Sequence, residues 1–177
     1  MRKINSFYLG AMLLISMFLQ FSNAVNAQAR SKADESTNQW RYELECMGVG
    51  SEGTYLIKVY SYSRRPNVAL EQAKKNAIHG IIFKGFSAGA QGCPAQKPLA
   101  RNANIESEKA DFFKDFFADG GKYMKFVGLT SDGAVDAADI TKSGKEYKVG
   151  IIVSVQKDLL RKDLEDAGVI RGLNSGF

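Results

Sequence analysis

Histidine occurs once in this chain, at His79, and that scarcity removes most metal chemistry from consideration. Zinc and similar ions are held by histidine and cysteine sets at short spacing, and neither an HExxH pair nor a CxxC pair is present. Cysteine is nearly as scarce. Cys46 and Cys93 are too far apart in sequence for a redox dithiol. Concentrated charge is lacking as well: 24 Lys and Arg stand against 19 Asp and Glu in 177 residues, a formal charge of +5. The basic residues fall in scattered pairs, Arg64-Arg65, Lys74-Lys75 and Arg161-Lys162, with acids close by. Such pairs read as solvated faces, and nucleic-acid binding, which needs a concentrated basic stripe, is rejected. No serine or cysteine is spaced with a base to make a nucleophile. The sequence therefore yields no catalytic residue, no cofactor site and no metal ligand set, and His79 reads as a packed or surface side chain.

Long apolar runs are absent except at the N-terminus. Arg2 and Lys3 supply a positive start, Phe7 to Phe21 is apolar apart from Gly10, Ser16 and Gln20, and small or polar residues follow from Ser22 to Ala27. This is the order of a secretory signal, with Val25 and Ala27 at the recognition positions, so cleavage is expected after Ala27. The run is about 15 residues, short of the roughly 20 that a spanning helix needs. No cysteine stands at the cleavage site, which argues against a lipid anchor. The mature part keeps 22 basic against 19 acidic residues, a charge of +3. Its length, about 150 residues, suffices for one domain with a real core. No integral membrane segment is expected after cleavage, and the destination is periplasmic or associated with the outer membrane. In an exported chain two cysteines read as a disulfide between Cys46 and Cys93, with two free thiols as the alternative.

Residues 28–38 hold no apolar side chain larger than alanine and read as a disordered leader, leaving 39–177 as a single α+β domain. Trp40, Tyr42, Leu44 and Cys46 alternate with Arg41, Glu43 and Glu45, as a half-buried strand does. Thr54 to Ser63 is β-branched and aromatic, and the turn GVGSEG joins the two as a hairpin. That turn leads from strand into strand, so it lacks the helix N-terminus that a phosphate-cradling loop requires. Pro66 suits a first helical turn. From Asn67 to Phe83, Leu70, Ala73, Ala77, Ile78 and Ile81 form one stripe, with Glu71 and Lys75 spaced as an i,i+4 pair.

Residues 84–104 form a Gly- and Pro-bearing loop of the length that tends to be functional or mobile. A helix is predicted over Ile105 to Asp119, stopped by Gly120-Gly121, and a strand over Tyr123 to Thr130. A long hairpin connection, Ser131 to Gly144, precedes the clearest strand, Lys145 to Gln156. A final helix runs from Asp158 to Ala167, with Leu160 and Leu164 inward and Arg161 and Glu165 paired; the partly apolar tail packs down. The expected architecture is ββααββα, an antiparallel sheet of about four strands carrying two to three helices.

The sharpest local feature is ADFFKDFFADGG. Phe112, Phe113, Phe116 and Phe117 make one broad aromatic face, either core or a patch that docks a partner. The terminal Phe177 is similar to the end signal of outer-membrane barrels, but about four strands cannot close a barrel of at least eight.

Gly48-x-Gly50 before a strand, then Ala69, Ala73 and Ala77 at four-residue spacing in the next helix, resembles the N-terminal domain of flagellar assembly protein T and related small outer-membrane lipoproteins. The resemblance covers residues 40–84, and the chain departs from those lipoproteins in lacking the lipidated cysteine. It implies a non-enzymatic envelope component that engages an envelope protein and helps assemble a larger machine, with no binding residue transferred. Two functions are thus expected. One is a periplasmic interaction and assembly module, acting through the Gly-rich loop, the aromatic helix or the tail. The other is a small ligand- or glycan-binding domain using Trp40 and the hairpin tyrosines, favoured if Tyr60 and Tyr62 face outward.

Overall fold

Period-two alternation and a glycine turn produce the first element of the architecture, a hairpin of β1 (Tyr42–Val49) and β2 (Thr54–Ser63) in a computed structural model. The structure describes residues 40–89, 92–131 and 134–172; the signal segment, the Ala27 cleavage site, the leader, Leu173 and Phe177 lie outside them. Glu52 and Gly53 carry the turn at positive φ, 53° and 69°, and the Lys157 N–H donates to the Gly53 carbonyl. The register slips by one residue between Cys46 and Gly48, so Met47 is bulged out.

Helix α1 (Pro66–Phe83) packs on β2 and β5 through Ala69, Ala73 and Ala77, all fully buried. Small side chains give a flat seam that lets helix and sheet approach closely. Gly80 continues it, since a Cβ there would overlap the Leu44 side chain. After the long loop come α2 (Ile105–Glu108) and α3 (Ala110–Phe116), then a 3-10 turn (Lys122–Phe126) leading into β3 (Val127–Leu129). A second 3-10 turn (Ala137–Asp139) precedes β4 (Ile140–Ser143), β5 (Glu146–Gln156) and α4 (Lys157–Asp166). The sheet is antiparallel in the order β1-β2-β5-β3, and β4 pairs with β5 beyond β3. This is the expected α+β class. Among the described residues no helix is long and apolar enough to cross a membrane.

Several predicted boundaries are corrected. The helix expected over 105–119 breaks at Lys109, whose φ and ψ are −115° and 34°. On an unbroken helix Ile105 would align with Phe112 and Phe116, about two and three turns on. The break instead turns Phe113 inward beside Phe116 and leaves Phe112 half-buried. The first half of the strand expected from Tyr123 is the 3-10 turn, in which the three-residue repeat puts Tyr123 and Phe126 on one buried face. The connection 131–144 holds β4, joined to β5 through a short turn with Gly144 at φ 62°. Lys75 is not solvated: it is buried with its ammonium 5.7 Å from the Tyr123 ring centre, and Glu71 pairs with Lys74 at 3.7 Å. Arg161 and Glu165 pair as expected, and Leu160 and Leu164 are fully buried.

The described residues of the 84–104 loop are pinned at several points. Phe86 and Gln96 form a β-bridge, and the Leu99 and Ala100 N–H groups donate to the Ile81 and Ile82 carbonyls. Cys93 is bonded to Cys46 across a Cα separation of 6.1 Å, inside the bridgeable range. Gly89 lies so close to β1 that a Cβ would overlap the Cys46 carbonyl. Because that obstacle is backbone, Gly89→Ala is expected to cost about 1–3 kcal/mol of overpacking, read as a lower urea midpoint at unchanged m-value. An unchanged midpoint would show that the loop moves aside freely.

Candidate functional site

The chemistry-bearing side chains gather in two places, one on each face of the sheet. The inner group forms where β1 passes beneath the end of α1. His79 belongs to a stretch of α1, Lys75 to Ile82, with every residue buried, and its imidazole is stacked on Trp40 with centroids 3.6 Å apart at 18°. Phe83 and Phe117 close the other sides, at 4.7 and 6.0 Å. Both ring nitrogens have partners: Nδ1 lies 2.6 Å from the Tyr42 hydroxyl and Nε2 lies 3.1 Å from a Glu106 carboxylate oxygen. A carboxylate only accepts, so the ring proton belongs on Nε2 and the Tyr42 hydroxyl donates to Nδ1. The Trp40 side chain also hydrogen-bonds Glu106, and Lys84 stands 4.0 Å above the Tyr42 ring while donating to the Trp40 carbonyl.

Burial dominates the electrostatics here. It pushes the His79 imidazole down to about 3, with Lys84 repulsion adding to the effect. It raises the Tyr42 hydroxyl far above its usual range, helped by the Glu106 charge, and raises the Glu106 carboxyl as well. A neutral imidazole with both nitrogens engaged has no lone pair to offer a substrate. The geometry makes the group a clamp tying β1, α1 and α2 together.

The four candidate partner-binding phenylalanines extend this clamp. Phe113 and Phe116 are buried at 4% and 2% exposure, so they are not available to a partner. Phe112 and Phe117 are half-buried and pack against the core. Phe117 meets Trp40 edge-on at 5.3 Å, and Phe113 meets Phe83 at 5.0 Å. The aromatic face is chiefly an internal one, which its spacing permits equally well.

The outer group lies on the opposite face of the sheet. The sheet side chains of the core, among them Tyr42, Cys46, Ile57, Val59, Val149, Ile151, Val153 and Val155, point to the side that carries the helices. The alternate residues Glu43, Glu45, Lys58, Tyr60, Tyr62 and Lys148 point the other way. The cross-strand pairs Glu43↔Tyr60, Glu45↔Lys58 and Tyr62↔Lys148 set them side by side. The Tyr60 ring lies on Gly150, where a Cβ would come within 2.9 Å of it. Lys148 stands 4.5 Å from the Tyr60 centroid and donates to Glu43 at 2.6 Å, and Arg41 stands 4.8 Å from the Tyr62 centroid. The Tyr62 hydroxyl donates to Glu43 at 2.7 Å. Hydrogen bonds from Lys148 and then Tyr62 hold the Glu43 carboxyl below its usual range. Composition alone did not mark this row; the alternation in β1, β2 and β5 was its signal.

Among the described residues no group of three His, Cys, Asp or Glu converges to hold a metal ion. Comparison of the chain with protein-family models, with curated proteins and with solved structures finds no match.

Proposed function

We propose that this chain is an exported, non-enzymatic module of the cell envelope, periplasmic or attached to the outer membrane through others, that recognises an envelope protein with the open face of its sheet. The observation that carries the reading is the one-sidedness of the sheet. The helices α1, α3 and α4 bury side chains in the same core, while the outer face presents an ordered row of alternating charge and tyrosine. Both signs of charge held in fixed register suit a complementary protein surface, where electrostatics set specificity. The disulfide fits an oxidising compartment. The resemblance of residues 40–84 to the N-terminal domain of flagellar assembly protein T implies the same kind of role. The glycan reading gains from the outward tyrosines, but cations already occupy the ring environments that a sugar would need.

Affinity capture from mildly solubilised envelope tests this with two variants beside the natural chain. Tyr62→Ala with Lys148→Glu disrupts the outer row, and Leu159→Ser alters an exposed position on α4. A stoichiometric envelope protein is expected with the natural chain and Leu159→Ser, and its yield should drop about tenfold with the face variant. A chain recovered alone and monodisperse, or a partner held equally by all three, overturns the reading.

A further inference from the structure

Away from the sheet's open face, a cleft of about 620 Å³ lies where the end of the long loop, the start of α2, α4 and the C-terminal turn meet. Its apolar side is formed by Leu99, Ile105 and Val169, all below 9% exposure. Arg101, Arg161 and Arg171 also line the cleft, and among the described residues no acidic side chain does. The walls are built in advance. The Leu99 N–H is bonded to the Ile81 carbonyl at the end of α1, and Gly168 at φ 65° turns the chain so that the Val169 N–H returns to the Leu164 carbonyl at 2.9 Å. Of the three arginines, Arg161 is paired with Glu165 at 3.2 Å, while Arg101 and Arg171 are exposed at the rim.

We infer that this cleft binds a small amphipathic organic anion, with a carboxylate or phosphate head at the arginines and an apolar body on the Leu99–Ile105–Val169 floor. The volume lies within the few hundred to about 1,000 Å³ of small-ligand sites. Arginine's planar fork matches both head groups, and a described lining that keeps Arg101 and Arg171 beside the Glu165-paired Arg161 favours negative charge. The apolar floor distinguishes the ligand from a bare ion, because burying the tail adds affinity that inorganic phosphate lacks. The inference is independent of the partner-binding face, which lies on another part of the molecule.

The experiment is calorimetric titration of the full mature chain with four probes: octanoate, octyl phosphate, 1-octanol and inorganic phosphate. At least one octyl anion is expected to bind one to one, about tenfold or more tighter than either octanol or inorganic phosphate. Comparing octanoate with octyl phosphate identifies the head group. The double variant Arg101→Gln/Arg171→Gln is expected to weaken that anion about tenfold or more with its melting temperature unchanged, because both side chains are exposed. Arg161 is left alone to spare its ion pair. Absence of saturable binding by either anion, equal binding of octanol, or equal binding by the double variant overturns the assignment.

Discussion

Replacing Cys46 and Cys93 together by alanine is expected to lower the unfolding free energy by about 4 kcal/mol. The bond spans 47 residues, and removing a cross-link of that span returns about this much entropy to the unfolded chain. Both cysteines are almost completely buried, at 1% and 2% exposure, so the substitution also leaves a small void beside the bulge in β1. The structural consequence is local. The bond fastens the long loop to the edge strand, where the Phe86–Gln96 bridge and the close approach of Gly89 are its other ties. With an m-value of about 2 kcal/mol/M in urea, the midpoint should fall by about 2 M. Dithiothreitol should shift the natural chain by a similar amount and leave the double variant unmoved. A loss below about 1 kcal/mol would mean that the loop's noncovalent contacts already restrain the chain as tightly as the cross-link does.

How much of this was readable beforehand differs from element to element. The hairpin and β5 were legible because alternate side chains enter the core, and α1 because its alanine repeat marks the seam that meets the sheet. Alternation in Trp40–Cys46 and Tyr147–Val153, and the alanine repeat in α1, report that burial directly. The cysteine pair was legible from count and compartment. The short elements were not. β4 has one apolar residue, Ile140, and owes its existence to pairing with β5, a non-local interaction that no local pattern records. Lys75 was read as solvated because lysine usually is, yet its long stem lies in the core beside Tyr123.

The clamp shows the same limit more sharply. Trp40, Tyr42, His79 and Glu106 come from three separated segments, and only the folded chain makes them neighbours. One signal was present: His79 sits three residues after Asn76 and beside Gly80, inside a stretch that is otherwise apolar. Two polar side chains and a glycine in such a stretch mark a helix buried on all sides, where polar groups must find partners. Asn76 does so by donating to the Ser61 hydroxyl at 2.9 Å. The open face was half legible. The alternation identified which residues point away from the core, but not that the helices would all choose one side.

Acid is expected to destabilise the fold from about pH 6.5 downward, and His79 should carry the first part of that loss. Its imidazole titrates near 3 in the folded protein against 6.5 when unperturbed, because burial penalises the cation and Lys84 repels it. Between those values the unfolded chain binds a proton that the folded chain refuses. The stabilisation is therefore complete above pH 6.5 and drains away as pH falls toward 3, at up to about 1.4 kcal/mol per pH unit. Glu106 acts in the opposite sense, since burial raises its carboxyl and protonation there favours the fold. Urea unfolding of the natural chain and of His79→Gln at pH 7.5, 6.5 and 5.5 separates the histidine from Glu106, which both proteins carry. His79→Gln should cost about 2–4 kcal/mol at pH 7.5, by losing the stack on Trp40 and loosening the bonds to Tyr42 and Glu106. Between pH 6.5 and 5.5 its stability should then be nearly level while the natural chain's declines. Equal slopes in the two proteins would show that the imidazole is not held neutral by the clamp, and that strand, helix and Glu106 are joined there by packing alone.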